Sequence, residues 1–87
     1  MSSLSNTEIE TRIKRILVED AYLDLEEDSI GTTDGLATDL GLDSLGFTEL
    51  RVQCERQFEV RIPDEHFNSV RFHSVGTVRE LILELRS

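Results

Sequence analysis

The sequence predicts an all-α protein: a four-helix bundle with a long loop between its first and second helices and a short third helix. Two observations carry that expectation. Apolar residues recur at helical spacing in Ile9-Ile13-Ile16-Leu17, in Phe47-Leu50-Cys54-Phe58 and in Val75-Val78-Leu81-Ile82-Leu85. A residue able to cap a helix stands ahead of each run: Thr7, Asp43 and Ser74. With 87 residues the chain has room for one modest core, burying roughly 60 to 65% of the unfolded surface. Residues 1–87 are therefore read as a single domain, with an ordered core over about 7–86.

Thr7 and Glu10 have the spacing of a capping box, so the first helix is expected from about Glu8 to Asp20. Between Ala21 and Gly41 the helical period fails, and Gly31, Thr32-Thr33, Asp34 and Gly35 interrupt it. This is an ordered loop that Tyr22, Leu23, Leu25, Ile30, Leu36 and Leu40 pin to the bundle. Its acidic run Asp24-Leu-Glu-Glu-Asp28 reads as a solvated face, with a cation site as the alternative.

The second helix is expected from Ser44 to about Gln57. Advancing 100° per residue places Phe47, Leu50, Cys54 and Phe58 on the core side. Leu45 and Val52 fall almost opposite, flanked by Thr48, Glu49, Glu55 and Arg56. Scattered exposed hydrophobes are ordinary, but a small apolar stripe rimmed by charge also makes a docking surface, and that reading is preferred here. Arg51 and Arg56 among Glu49 and Glu55 give it mixed charge.

Val60 to Asp64 should be an extended link, because the residue before Pro63 avoids the helical region. A short third helix then starts near Asp64, with Phe67, Val70 and Phe72 facing the bundle. Leu50, Cys54, Phe67 and Val70 are the candidates to wall a cavity between the second and third helices. Each is also explained as plain packing, and Cys54 reads as a small buried hydrophobe rather than a reactive thiol. Ser74 caps a last helix, and Arg86-Ser87 is read as a frayed end.

Eighteen acidic residues against nine basic ones leave a formal charge of −9. That argues against nucleic acid, whose phosphates need clustered Lys and Arg, and favours basic protein partners. One cysteine forms no intramolecular disulfide, and His66 and His73 have no recognisable ligand spacing, so no metal site is expected. No apolar run is long enough to span a bilayer, and Met1-Ser-Ser-Leu-Ser-Asn6 lacks a basic segment followed by an apolar signal core. The reading is a cytoplasmic monomer in a reducing compartment, without membrane contact.

The chemistry gathers at Asp39-Leu-Gly-Leu-Asp-Ser-Leu45, a turn that delivers Ser44 to the first turn of the second helix. Free N–H groups and the positive end of the helix dipole favour a phosphate diester there. Nothing places a histidine base beside Ser44, so a self-contained hydrolase is set aside.

This run, followed by Glu49-Leu50, Phe58 and Ile62-Pro-Asp-Glu65, resembles the signature region of acyl carrier proteins, over about Ile9 to Leu85. The resemblance implies a bundle of that family's type with 4′-phosphopantetheine carried on Ser44, placed there from coenzyme A by a phosphopantetheinyl transferase. Asp43 and Leu45 flank that attachment. Asp43 would cap the helix, help organise a metal ion during transfer, or both. Acyl groups would ride as thioesters to acyl-loading and acyl-processing enzymes of fatty-acid, polyketide or related specialised-metabolite synthesis. Leu45, Thr48, Glu49, Val52, Glu55 and Arg56 would meet those partners, and Leu50, Cys54, Phe67 and Val70 would shelter the acyl chain. Members of the family often carry a smaller residue at the Phe67 position, and this chain's Val70-Arg-Phe-His-Ser74 segment is slightly longer than in fatty-acid carriers. Both point to a short or polar cargo. The initiating Met1 and the stop just past the last helix fit a free-standing carrier. Two alternatives stay open: an aminoacyl or peptidyl carrier, whose motif more often has Gly-Gly before His-Ser or Asp-Ser, and an interaction module that has lost its cofactor.

Overall fold

Residues 4–87 are described by the computed structural model; Met1, Ser2 and Ser3, part of the stretch read above for a signal, lie outside them. Three α-helices, α1 (Asn6–Glu19), α2 (Ser44–Phe58) and α3 (Val75–Arg86), carry the architecture. Two single 3₁₀ turns, Glu27–Ser29 and Asp64–His66, lie in the connections, and the described residues contain no strand. Each helix packs against the other two, and α1 also meets the first 3₁₀ turn. The all-α expectation holds, with the predicted fourth helix appearing as α3.

Helix α1 starts two residues earlier than the Thr7 cap predicts. Ser5 is the N-cap: its Oγ accepts from the Glu8 N–H at 3.1 Å, and the Glu8 carboxylate accepts from the Ser5 N–H at 3.0 Å. Ser5…Glu8 and Thr7…Glu10 have the same spacing. Glu10 is committed instead to an ion pair with Arg79 of α3, a tertiary contact that local patterning cannot reveal. Leu4, just before the cap, packs against the core. Ile9, Ile13, Ile16 and Leu17 are buried as their spacing predicts.

In the long loop Leu23, Ile30 and Leu36 are buried and Leu40 partly so, but two expected pins face solvent: Tyr22 is 70% exposed and Leu25 38%. Tyr22 sits at φ 66°, the left-handed conformation that turns the chain away after α1. That turn carries its side chain outward. In the acidic run Glu27 lies 3.5 Å from Arg15.

The predicted third helix shrinks to one 3₁₀ turn. The Asn68 side chain accepts from the N–H groups of Val70 and Arg71 at 3.0 and 2.9 Å and the Phe72 N–H donates to the Asn68 carbonyl at 3.0 Å, so a separate capped turn starts at Asn68 and the helix begun at Asp64 does not run through it. Val70 therefore stands 74% exposed instead of facing the bundle, while Phe72 is buried and Phe67 half-buried.

Ser74 caps α3 as expected, in a reciprocal box with Thr77. Val75, Val78, Leu81 and Ile82 complete the core, with Leu85 at its edge. Arg86 is not frayed: it donates to the Phe58 carbonyl at 2.9 Å and so closes the C-terminus of α2.

Candidate functional site

The approach to Ser44 is built from a turn, a plug and a glycine. Gly41 adopts φ +74°, a conformation that suits glycine, and reverses the chain ahead of α2. Leu42 is buried, its N–H donating to the Leu36 carbonyl at 2.8 Å. It packs on Gly46, where an added Cβ would lie 2.4 Å from Leu42 Cδ1 and 3.0 Å from the Ala21 carbonyl oxygen. Glycine in a helix costs about 1 kcal/mol relative to alanine. Here it lets the loop backbone and Leu42 support the first turn of α2 from beneath.

Asp43 is the N-cap, accepting from the Gly46 N–H at 2.8 Å. Its capping role is thus present in the fold. Ser44 is the first residue of α2 and is exposed, with Asp43, Leu45 and Thr48 exposed around it and Leu45 at 61%. The N–H groups of Ser44 and Leu45 precede the first intrahelical bond, which runs from Phe47 to the Asp43 carbonyl. An accessible hydroxyl at a helix N-terminus with uncommitted donors fits a phosphodiester attached to Ser44 Oγ.

The outward stripe of α2 is partly as predicted. Leu45, Thr48 and Arg56 are exposed and Glu49 and Val52 half-buried. Glu55 is tied to the fold, its carboxylate accepting from the Ile62 N–H at 2.8 Å. Arg51 is tied as well, donating to the Ile62 carbonyl at 2.7 Å and to Asp64 at 2.8 Å. Of the charges that sequence reading gave to a mixed docking face, Arg51 and Glu55 therefore hold the chain's own 60–64 segment.

The acyl-pocket residues do not come together. Leu50 and Cys54 are fully buried in the core, and Val70 is out in solvent. Burial pushes the Cys54 thiol up to about 12, so it is an inert packing group. Phe67 alone of the four lines a cavity of about 300 Å³, whose other walls include Thr38, Phe47, Phe72 and His73. This groove lies along the Ser44 side of α2, since Phe47 follows Ser44 by nearly one turn. Sequence reading missed it because the Asn68-Ser69 turn owes its position to the side-chain bonds of Asn68 and the loop wall, Ala37-Thr38, owes its position to tertiary contacts. One such contact runs from the Leu36 N–H to the His73 carbonyl at 2.8 Å. The glycine at position 46 was the available signal for the close approach beneath the site.

The same architecture occurs in solved structures. A carrier protein from Agrobacterium tumefaciens, in complexes with an engineered Bradyrhizobium japonicum glycine:[carrier protein] ligase, superposes with a TM-score of 0.78 at 24% identity in the complex with ATP, over 87% of this chain and 97% of that one. With AMP the values are 0.75 and 26%, over 87% and 99%. Acyl carrier protein from Enterococcus faecalis gives a TM-score of 0.74 at 22% identity, over 94% of this chain and 99% of that one. Residues 11–85 match the family described as "Phosphopantetheine attachment site". That match takes in the Asp43-Ser44 turn and all of α2 and nearly all of α3, so the chain belongs to the phosphopantetheine-attachment-site family of carrier proteins and bears 4′-phosphopantetheine on a serine.

Proposed function

We propose that Ser44 is the serine that bears the cofactor and that the protein presents thioester-linked acyl groups to partner enzymes of fatty-acid, polyketide or related specialised-metabolite synthesis. The observation that carries this reading is the exposed Ser44 at the capped, glycine-supported start of α2. When bound, the cofactor supplies a thiol on a flexible arm, which holds an acyl group at high effective concentration beside a docked enzyme.

The chain's own residues position and address. Asp43 holds the first turn, so the hydroxyl projects from a fixed point. Leu45, Thr48, Glu49, Val52 and Arg56 form the surface that a phosphopantetheinyl transferase and later enzymes would meet. The net charge of −9 favours a basic rim on those partners. His73 lines the neighbouring groove, and the role given to Ser44 is that of a substrate. The cytoplasmic setting belongs to the same proposal and rests on the sequence reading.

A second reading has its own support. The likeness at 26% identity to a carrier in complex with a glycine:[carrier protein] ligase favours an aminoacyl cargo. The two readings separate in one experiment: the protein isolated from its own host is fragmented in a mass spectrometer to release the arm with its cargo. An acyl mass on an arm from Ser44 supports the proposal, an aminoacyl mass supports the second reading, and an arm on any other residue overturns the assignment of Ser44.

A further inference from the structure

The groove beside Ser44 is divided from the interior under α2 by a stack of side chains. Arg51 leaves α2 and its guanidinium lies 4.9 Å from the centre of the Phe67 ring, while its Nη2 donates to the Ile62 carbonyl and to Asp64. Phe67 meets Phe72 edge-on, with ring centres 5.0 Å apart and planes at 84°. Glu55 fastens Ile62 from its N–H side. Behind this stack Leu50, Cys54 and Ile62 are each 0% exposed. In front lies the groove, with Phe47, Phe67 and Phe72 among its walls and Thr38, Asn68 and His73 as polar neighbours.

We propose that the Arg51–Phe67 stack determines which cargo this carrier shelters: it bars long apolar chains from the interior between α2 and the 60–72 segment and leaves short or polar cargo in the open groove. The proposal rests on Ser44 as the loaded serine. An alkyl chain entering the interior would have to displace Phe67 and so strip the guanidinium of its aromatic face and strain its charge-assisted bonds. A chain lying in the groove instead keeps one side in water, so each added methylene gains little. The pair acts as a specificity determinant, with no contact to the reacting atoms required.

Acetyl and octanoyl forms, made with a phosphopantetheinyl transferase and the two acyl-coenzyme A compounds, test this. Intact mass first establishes that one acyl-phosphopantetheine is added and that Ser44→Ala abolishes it; failure here would strike the Ser44 assignment and not the stack. The loaded proteins are then treated with hydroxylamine, whose nitrogen attacks the thioester carbonyl and breaks the C–S bond, the thiolate leaving and taking up a proton. In the unaltered protein the two forms should react within about twofold of each other, because sheltering even a few methylenes would shift the rate by about tenfold. Phe67→Ala should slow the octanoyl form selectively by about tenfold. Arg51→Met, which keeps an apolar stem and removes the guanidinium, should do so in the same direction and covers the case in which Phe67→Ala fails to fold. An unaltered protein that already shelters octanoyl about tenfold better than acetyl, or folded variants that leave the ratio unchanged, would overturn the proposal.

Discussion

At its N-terminal end α2 is held from beneath, where Gly46 admits Leu42 and the Ala21 backbone and leaves Ser44, Leu45 and Thr48 facing solvent. At its C-terminal half it is held from the side, by Arg51 and Glu55 gripping Ile62 and by Arg86 closing the Phe58 carbonyl. The first arrangement frees a surface, and the second spends one. In the sequence the polar residues of the two ends look interchangeable, yet Ser44 and Thr48 of the first end are free to meet a partner whereas Arg51 and Glu55 of the second are held by the 60–64 segment.

The largest effect should come from filling the gap beneath the first turn. Gly46→Val places branched carbons against Leu42 and the Ala21 carbonyl, an overpacking that should cost about 2 to 3 kcal/mol in denaturant unfolding. Loading of Ser44 should fall with it. If stability and loading are both unchanged, the N-terminal end is not held as described.

Next is the contrast between two arginines on one helix. Arg51→Ala loses two hydrogen bonds and the Phe67 face and should cost about 2 kcal/mol, whereas Arg56→Ala, exposed, should stay within about 0.5 kcal/mol. Equal costs would erase the distinction between the two ends. Because it makes the docking face more negative, Arg56→Ala should instead speed encounter with a basic-rimmed transferase, read as a larger association rate.

A smaller effect concerns the floor of the clamped half. The Cys54 thiol is raised from 9.0 to about 12 by burial, so the unfolded chain loses its proton first. The associated stability is fully present below about pH 9 and is lost as pH rises towards about 12. Unfolding free energy of the unaltered protein should therefore fall more steeply over that window than that of Cys54→Ala. Parallel curves would place Cys54 in water.

Most of the bundle was legible in the sequence, and the reason is physical. Ile9-Ile13-Ile16-Leu17 and Val75-Val78-Leu81-Ile82 lie on single faces of uninterrupted helices, so local period and tertiary burial agree. The Asp43-Ser44 turn was legible because capping is a short-range event. The 59–73 segment was not. Asn68 caps a new turn by side-chain bonds that no periodicity encodes, which is why the third helix starts at Asp64 as expected but is a single 3₁₀ turn and Val70 faces solvent. The α1 cap was ambiguous for a similar reason: Ser5…Glu8 and Thr7…Glu10 share the box spacing, and in the fold the first pair makes the box while Glu10 pairs with Arg79, far along the chain.

The smallest predicted effect is global. Self-repulsion at −9 should be relieved by salt or magnesium, so the melting temperature should rise across such a series. A flat series would show that the acidic loop face carries no net strain in the folded chain.

The most direct test of the assignment of Ser44 is intact mass after incubation with coenzyme A and a broad-specificity phosphopantetheinyl transferase, beside a Ser44→Ala control. One phosphopantetheine added to the unaltered chain and none to the control is the predicted result. Addition to both chains, or to neither while the transferase modifies another carrier and the protein is folded, would contradict it.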